Sequence, residues 1–285
     1  MKTILVPTDF SLNADNALYY AIDLAKRSHC KLLLLHAYQV NYPNPYVPID
    51  YLVEEKDNAL KDSDNQLKST AQKISHAGHL EYEYLSVEDA PVDAILKIVK
   101  EKEIDLVVMG TKGDSNLANT IFGSNAAKVL EKSTCPVMAI PQDSSFKEIK
   151  KFTYATAYNY SDVYALKKVV EMAKLFNAQV NVLHILDNSK SLDKEKELMK
   201  NFMDEVNRKI QYSNMSFQLL EGKNVEDALE EYIVRDSTSI LVMSTHHRDF
   251  FDKLFGKSIT KHMAYHTSIP LMAFHHDKKS SIKVY

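Results

Sequence analysis

The sequence is short of glycine, nearly free of cysteine, balanced in charge and without a long hydrophobic run. Each shortage closes off a class of protein. Its two cysteines, Cys30 and Cys135, stand far apart, which excludes a disulfide scaffold and a cysteine-rich zinc site. With 35 basic and 38 acidic residues the net charge is −3, so no global basic field draws nucleic acid or anionic lipid. The longest apolar run, Leu32 to Leu35 with its flanks, falls far short of the roughly 20 residues that span a bilayer. The N-terminus, MKTILVPTDF, places Pro7 and Asp9 where a signal peptide needs a longer apolar core. These shortages predict a cytoplasmic protein that engages neither nucleic acid nor membrane. What is present, 45% hydrophobic and 26% charged residues over 285 positions, suits a globular chain of one large or two ordinary domains.

Average glycine usage would supply about 20 in a chain of this length. There are six, and Gly110, Gly113 and Gly123 fall within one 14-residue window. A chain that spares glycine elsewhere concentrates it where backbone geometry requires it, through positive φ or close approach.

Short apolar runs alternate with helical spacing. Thr3 to Pro7 has strand length, and Asn13 to Arg27 spaces Ala14, Ala17, Leu18, Ala21, Leu24 and Ala25 as a helix would, with Ser11 as N-cap. Lys31 to Ala37 is a buried strand. The proline-dotted Tyr42 to Asp50 is irregular, and 52–76 is a polar, solvated outer helix. Tyr82 to Val87, Ile104 to Met109 and Val137 to Ile140 complete the strands. Pro91 opens one helix, and Asn125 to Lys132 forms another.

The second half repeats the first. Ile4 to Leu18 aligns with Phe152 to Leu166 at a shift of 148 positions, which also brings His36 onto His184. Farther on the shift is 134: Ile104 to Met109 meets Thr238 to Met243, and TCPVMAI meets SIPLMAF. The difference lies near the proline-rich insert of the first half. Such alternation predicts an α/β protein of two tandem domains, 1–144 and 149–276. Each would be an open five-stranded parallel sheet of order 3-2-1-4-5 with helices on both faces. Ligands of such sheets bind at the carboxyl ends of the strands, where the order reverses. Pro7-Thr8-Asp9 and Gly110-Thr111-Lys112-Gly113 would meet there.

The connection after Met109, GTKGDSNLANTIFGS, exceeds the 2–6 residues usual between strand and helix. Gly123-Ser124 at a helix start would aim unpaired amides and a hydroxyl at an anion. Asp9 could accept from a ribose or a base amine. The alternative reading is that the glycines only serve turns.

With these residues on view, the sequence resembles the universal stress protein family in its tandem form. The family pattern G-x2-G-x9-G-[ST] is matched by Gly110, Gly113, Gly123 and Ser124, its Pro-Thr-Asp by Pro7, Thr8 and Asp9, and its second-strand histidine by His36. The resemblance implies ATP as ligand, with Mg as its counter-ion. Asp9 and the backbone of Ala37 would contact adenine or ribose, and Met109 and Gly110 would flank the ribose. Gly113, Gly123, Ser124 and Asn125 would hold phosphates. It also implies a stress-response role and intramolecular pairing of the halves through Val137 to Ile140 and Leu271 to Phe274. A homodimer is a further expectation.

The second half departs from the pattern. Ala157 replaces Asp9, Ser244 replaces Gly110, His247 replaces Gly113, and Gly256 is followed by Lys257. This half is expected not to bind ATP. The GKS at 256–258 is no Walker loop, because Phe251 occupies the required glycine position. His246, His247, His262, His266, His275 and His276 read as surface residues without a common focus rather than as a zinc site. The sequence offers no convincing general base. Lys112, Asp114 and Ser115 qualify by proximity alone, so a regulatory ATP-binding module is expected. A slow ATPase and a nucleotide-independent scaffold or small-ligand binder, with Phe250, Phe251 and Phe255 lining the second pocket, are the alternatives.

Overall fold

A computed structural model describes residues 1–40, 48–113, 123–142, 144, 148–187, 191–222, 224–244 and 269–275. The chain divides into two units, Met1–Phe146 and Lys147–Tyr285. The first contains β1 (Thr3–Pro7), α1 (Leu12–Ser28), β2 (Lys31–Tyr38), α2 (Ile49–Ala77), β3 (Tyr82–Glu88), α3 (Pro91–Glu101), β4 (Leu106–Gly110), α4 (Ser124–Lys132) and β5 (Val137–Ile140). The second contains β6 (Lys151–Ala155), α5 (Tyr160–Phe176), β7 (Gln179–Asp187), α6 (Leu192–Lys209), β8 (Met215–Gly222), α7 (Val225–Arg235), β9 (Ile240–Ser244) and β10 (Leu271–Phe274).

The first sheet runs β3-β2-β1-β4-β5 and is parallel throughout. The second repeats the order as β8-β7-β6-β9-β10, again parallel. This is the expected 3-2-1-4-5 arrangement in both units, with helices on both faces. Leu32 to Leu35 are buried along β2, as a strand covered on both sides requires.

The internal repeat holds down to register. Ile4 pairs with Leu106 in the first unit and Phe152 with Ile240 in the second, the partners given by shifts of 148 and 134. Backbone handedness repeats too. Phe10 and Tyr158 take φ of 63° and 60°, His29 and Asn177 take 52° and 51°, and Glu103 and Ser237 take 49° and 52°. His29 and Asn177 are the left-handed C-caps of α1 and α5, which release the chain toward the next strand.

Ser11 caps α1 as expected, its hydroxyl accepting from the Ala14 amide at 3.2 Å. The helix buries Ala14, Ala17, Leu18, Ala21, Leu24 and Ala25. Its alanines let the backbone lie close to β1 and β4. Two expectations need correction. Helix α2 starts at Ile49, inside the stretch read as irregular. It is also not solvated throughout: Ser63, Leu67, Thr70, Ala71 and Ile74 are buried against β2 and β3. The charges that suggested an outer helix dominate its exposed first half. Much of the length difference between the units also lies here, since α2 has 29 residues and α6 has 18.

No helix among the described residues is long and apolar enough to cross a membrane. Cys30 and Cys135 are free and buried. Burial pushes both thiols up, Cys135 to about 11, so neither is an activated nucleophile.

Candidate functional site

Strands β2 and β4 flank β1 on opposite sides, so the strand order reverses there, and the carboxyl ends of β1 and β4 open together. Past β1, the Thr8 amide donates to the Leu35 carbonyl at 2.8 Å, holding the chain to β2 for one more residue. Phe10 then adopts left-handed φ, and its amide donates to Thr8 Oγ1 at 3.0 Å. This tight turn leaves Asp9 in the crevice. Asp9 Oδ1 accepts from the Ser11 hydroxyl at 2.6 Å and the Ser11 amide at 3.2 Å. One serine thus orients the carboxylate and caps α1.

At the end of β4 the Thr111 amide donates to Ile140 O at 2.9 Å, and the Gly123 amide donates back to Thr111 O at 2.7 Å. The long connection is therefore closed at its neck. Helix α4 begins next, with Gly123 as an N-cap that offers no side-chain hydrogen bond and no acidic residue in the first turn. Among the described residues its leading amides have no side-chain acceptor, the condition under which a helix N-terminus attracts an anion.

All ten candidate residues line one crevice of about 260 Å³: Pro7, Thr8, Asp9, Ala37, Met109, Gly110, Gly113, Gly123, Ser124 and Asn125. Thr111, expected at this strand end, lines it too; the sequence reading missed Leu35, Pro91, Ile95 and Ala126. Pro91 and Ile95 lie one turn apart on α3, and Leu35 lies two residues before Ala37 on β2. Their spacing was visible, but nothing local tied them to the glycine loop. Lys112 lines the crevice too, and its ammonium is the cation of the described lining. Asp114 and Ser115 lie outside the described residues.

Of the two uses expected for the glycines, positive φ and close approach, Gly110 and Gly113 show the second and not the first. Among the described glycines only Gly78 has positive φ. A Cβ on Gly110 would stand 2.8 Å from Asn13 Cγ, and one on Gly113 would overlap Asp9 Oδ2. A Cβ on Gly123 would meet ordinary contacts of 3.6 Å and longer.

His36 follows Leu35 and precedes Ala37, so it points to the opposite sheet face from those two crevice residues. Its Nδ1 lies 2.7 Å from Ser63 Oγ, which lies 2.7 Å from Ser86 Oγ, and Ser86 donates to Asp64 at 2.6 Å. Each hydroxyl has one proton to give. Ser63 therefore donates to Ser86, and His36 donates its Nδ1 proton to Ser63. Phe10 covers the ring, with centroids 4.4 Å apart. Burial lowers the His36 pKa below its usual 6.5, against the pull of Asp9.

The second unit fills the corresponding strand end with its own contacts. Buried Asp162 accepts from Tyr154 Oη at 2.9 Å, Thr156 Oγ1 at 2.7 Å and the Asn159 amide at 3.3 Å. His184 Nδ1 donates to the Thr156 carbonyl at 2.8 Å, its Nε2 faces Glu195 at 3.2 Å, and Tyr158 stacks on its ring. Residues 245–268 and 276–285, with His246, His247, His262, His266, His276 and the three phenylalanines, lie outside the described residues. No group of three or more metal-binding side chains occurs among the described residues.

Comparison with known proteins follows this division. The sequence model of the Universal stress protein family matches residues 1–141 and again 148–275. A universal stress protein of Thermus aquaticus is 33% identical over 141 residues, 49% of this chain and 98% of that protein. The universal stress protein YxiE of Bacillus subtilis is 30% identical over 144 residues, 48% of this chain and 97% of its own. A solved universal stress protein from Archaeoglobus fulgidus shares the fold over 96% of this chain and 98% of its own, with a TM-score of 0.70 at 17% identity. With the family model matched once in each unit, over nearly all of its length, the chain belongs to the universal stress protein family.

Proposed function

We propose that the first unit binds ATP and that the protein is a regulatory nucleotide-binding module of the stress response. The second unit would be its degenerate intramolecular partner. One observation carries the reading: the N-terminus of α4, with no side-chain cap among the described residues, opens on the same crevice as Asp9 and Lys112. A ligand that suits it is anionic at one end and offers hydroxyl or amine donors at the other, as an adenine nucleotide does.

Each residue then has a task its chemistry allows. The amides around Gly113, Gly123, Ser124 and Asn125 would hold phosphate oxygens, helped by the positive end of the α4 dipole. Lys112 would balance charge. Asp9, held by Ser11, would accept from the ribose or base, with Ala37 and Met109 beside it. The volume of about 260 Å³ is close to the roughly 300 Å³ at which small-ligand pockets begin. Asp9 is the one carboxylate of the described lining. That donor set fits a Mg ion carried mainly by the phosphates, since such ions take one or two protein carboxylates at most.

The described lining holds no histidine, and its carboxylate is committed to Ser11. Turnover should therefore stay below about one per minute, against a typical enzyme rate of about 10 per second. Titration calorimetry tests the reading. One ATP per chain is expected, and Asp9→Ala should weaken binding by about 1–3 kcal/mol through loss of charge-assisted hydrogen bonds. Absence of heat with ATP, ADP or AMP at millimolar concentration would sink it.

A further inference from the structure

We propose that Asn13 is the positioning residue of the 110–113 turn and sets the Gly113 amide toward the phosphate end of the crevice. This rests on the nucleotide reading above. Asn13 is the second residue of α1 and only 4% exposed. Its Nδ2 donates to the Lys112 carbonyl at 2.6 Å, across 99 positions of sequence. Its Oδ1 has no hydrogen-bond partner among the described residues.

The Lys112 carbonyl and the Gly113 N–H belong to one peptide plane. In a trans peptide they point in opposite directions. Asn13 holds the carbonyl from behind the turn, outside the crevice lining, while Lys112 and Gly113 both line it. The Gly113 N–H is thereby turned away from Asn13. Gly123 closes in on that amide nitrogen: a Cβ on Gly123 would lie 3.9 Å from Gly113 N. An amide fixed in advance binds an anion without reorganising first.

Asn13 also accounts for the glycine at 110. A Cβ there would lie 2.8 Å from both Asn13 Cγ and Nδ2, and 3.1 Å from the Asn13 carbonyl. Any side chain at 110 would displace the amide that grips Lys112, so the two positions are matched in size. The second unit has altered both members. The repeat shift of 148 puts Ser161 in the place of Asn13, and that of 134 puts Ser244 in the place of Gly110; both are buried, at 8% and 2% exposure. The long side chain became short where the absent one appeared.

Two variants separate the hydrogen bond from packing. Asn13→Leu keeps the approximate shape and removes the donor without adding charge; Asn13→Ser copies the second unit. Calorimetry with ATP and with adenosine should show ATP affinity falling about tenfold or more and adenosine affinity holding within about twofold. Asp9→Ala should weaken both ligands alike. Equal losses of ATP and adenosine in the Asn13 variants, or an unchanged ATP affinity, overturn the proposal. Amide NMR of the nucleotide-free protein gives a second readout: the Gly113 resonance should shift or split in Asn13→Leu, and an unmoved resonance also overturns it. If the parent protein binds neither ligand, the nucleotide reading fails, and the Gly113 resonance alone decides the positioning role.

Discussion

A Cβ placed on Gly113 would overlap the Oδ2 oxygen of Asp9. The carboxylate is the end of an exposed side chain, and to turn aside it must give up the Ser11 amide and hydroxyl that hold its other oxygen. Glycine at 113 thus lets Asp9 keep its bonds to Ser11, and the second unit changes the two together, to Ala157 and His247. Gly113→Ala should destabilise the ligand-free protein by about 0.5–1.5 kcal/mol, the net worth of the hydrogen bonding that Asp9 gives up to make room. In an Asp9→Ala background the same change should be close to neutral. Urea unfolding of the four proteins gives the coupling, expected at about 0.5–1.5 kcal/mol; strictly additive losses would show that the two residues do not constrain each other.

Gly110 and Gly123 should answer alanine differently. At 110 the new methyl meets Asn13 side chain and backbone together, so α1 or β4 must shift. At 123 the contacts of 3.6–3.9 Å are ordinary, and φ of −66° suits any residue. Gly110→Ala should lower stability by about 1–3 kcal/mol, and Gly123→Ala by less than about 0.5 kcal/mol. Thermal melts of the two variants check this, and equal shifts would contradict it.

The contrast marks what was legible in the sequence. Periodicity showed the strands, the helix α1, its Ser11 cap and the duplication, because these features repeat over a few residues or copy themselves wholesale. Pro7, Thr8, Asp9, Gly110, Gly113, Gly123 and Ser124 were legible because strand ends and a glycine cluster are local signals; Ala37, Met109 and Asn125 came from the family resemblance. The reason for the glycines was not legible, since Asp9 and Asn13 reach them across about a hundred positions with no pattern between. Phe10 gave no warning of its left-handed turn, being neither glycine nor asparagine. The chain from His36 to Asp64 joins β2, α2 and β3, and a single line of sequence does not place serines 63 and 86 together.

That chain has a pH consequence. His36 is neutral in the fold, with its Nδ1 proton committed to Ser63; Asp9, Phe10, Tyr38 and Asp64 are the other polar or aromatic groups of its surroundings. Burial lowers its pKa below 6.5, whereas in the unfolded chain the ring titrates near 6.5. Between the two values the unfolded chain binds more protons, so stability rises with pH there. The contribution is complete above about pH 6.5 and is lost as pH drops through that window. Urea midpoints measured from pH 7.5 downward should fall for the parent and flatten for His36→Asn, which keeps a donor near the Nδ1 position but does not titrate. A parent ring that titrates above 6.5 by NMR would refute the sign.

In the second unit the heaviest dependence should fall on Asp162. It is fully buried and accepts from Tyr154, Thr156 and the Asn159 amide. Its counterpart in the first unit is the buried apolar Ala14. Asp162→Ala copies that counterpart but strands two buried hydroxyls, Tyr154 being 0% exposed. Each unsatisfied donor costs about 1–3 kcal/mol and the broken capping box about 1 kcal/mol more, so a total loss of about 3 kcal/mol or greater is expected. Adding Tyr154→Val and so restoring the first unit's pairing of Val6 with Ala14 removes one orphaned hydroxyl and should recover about 1 kcal/mol, less whatever the lost ring volume takes back. Hydrogen exchange of the α5 amides reports the change within the unit that carries it. Full protection in Asp162→Ala would mean that the carboxylate holds nothing the helix and strand do not already hold themselves.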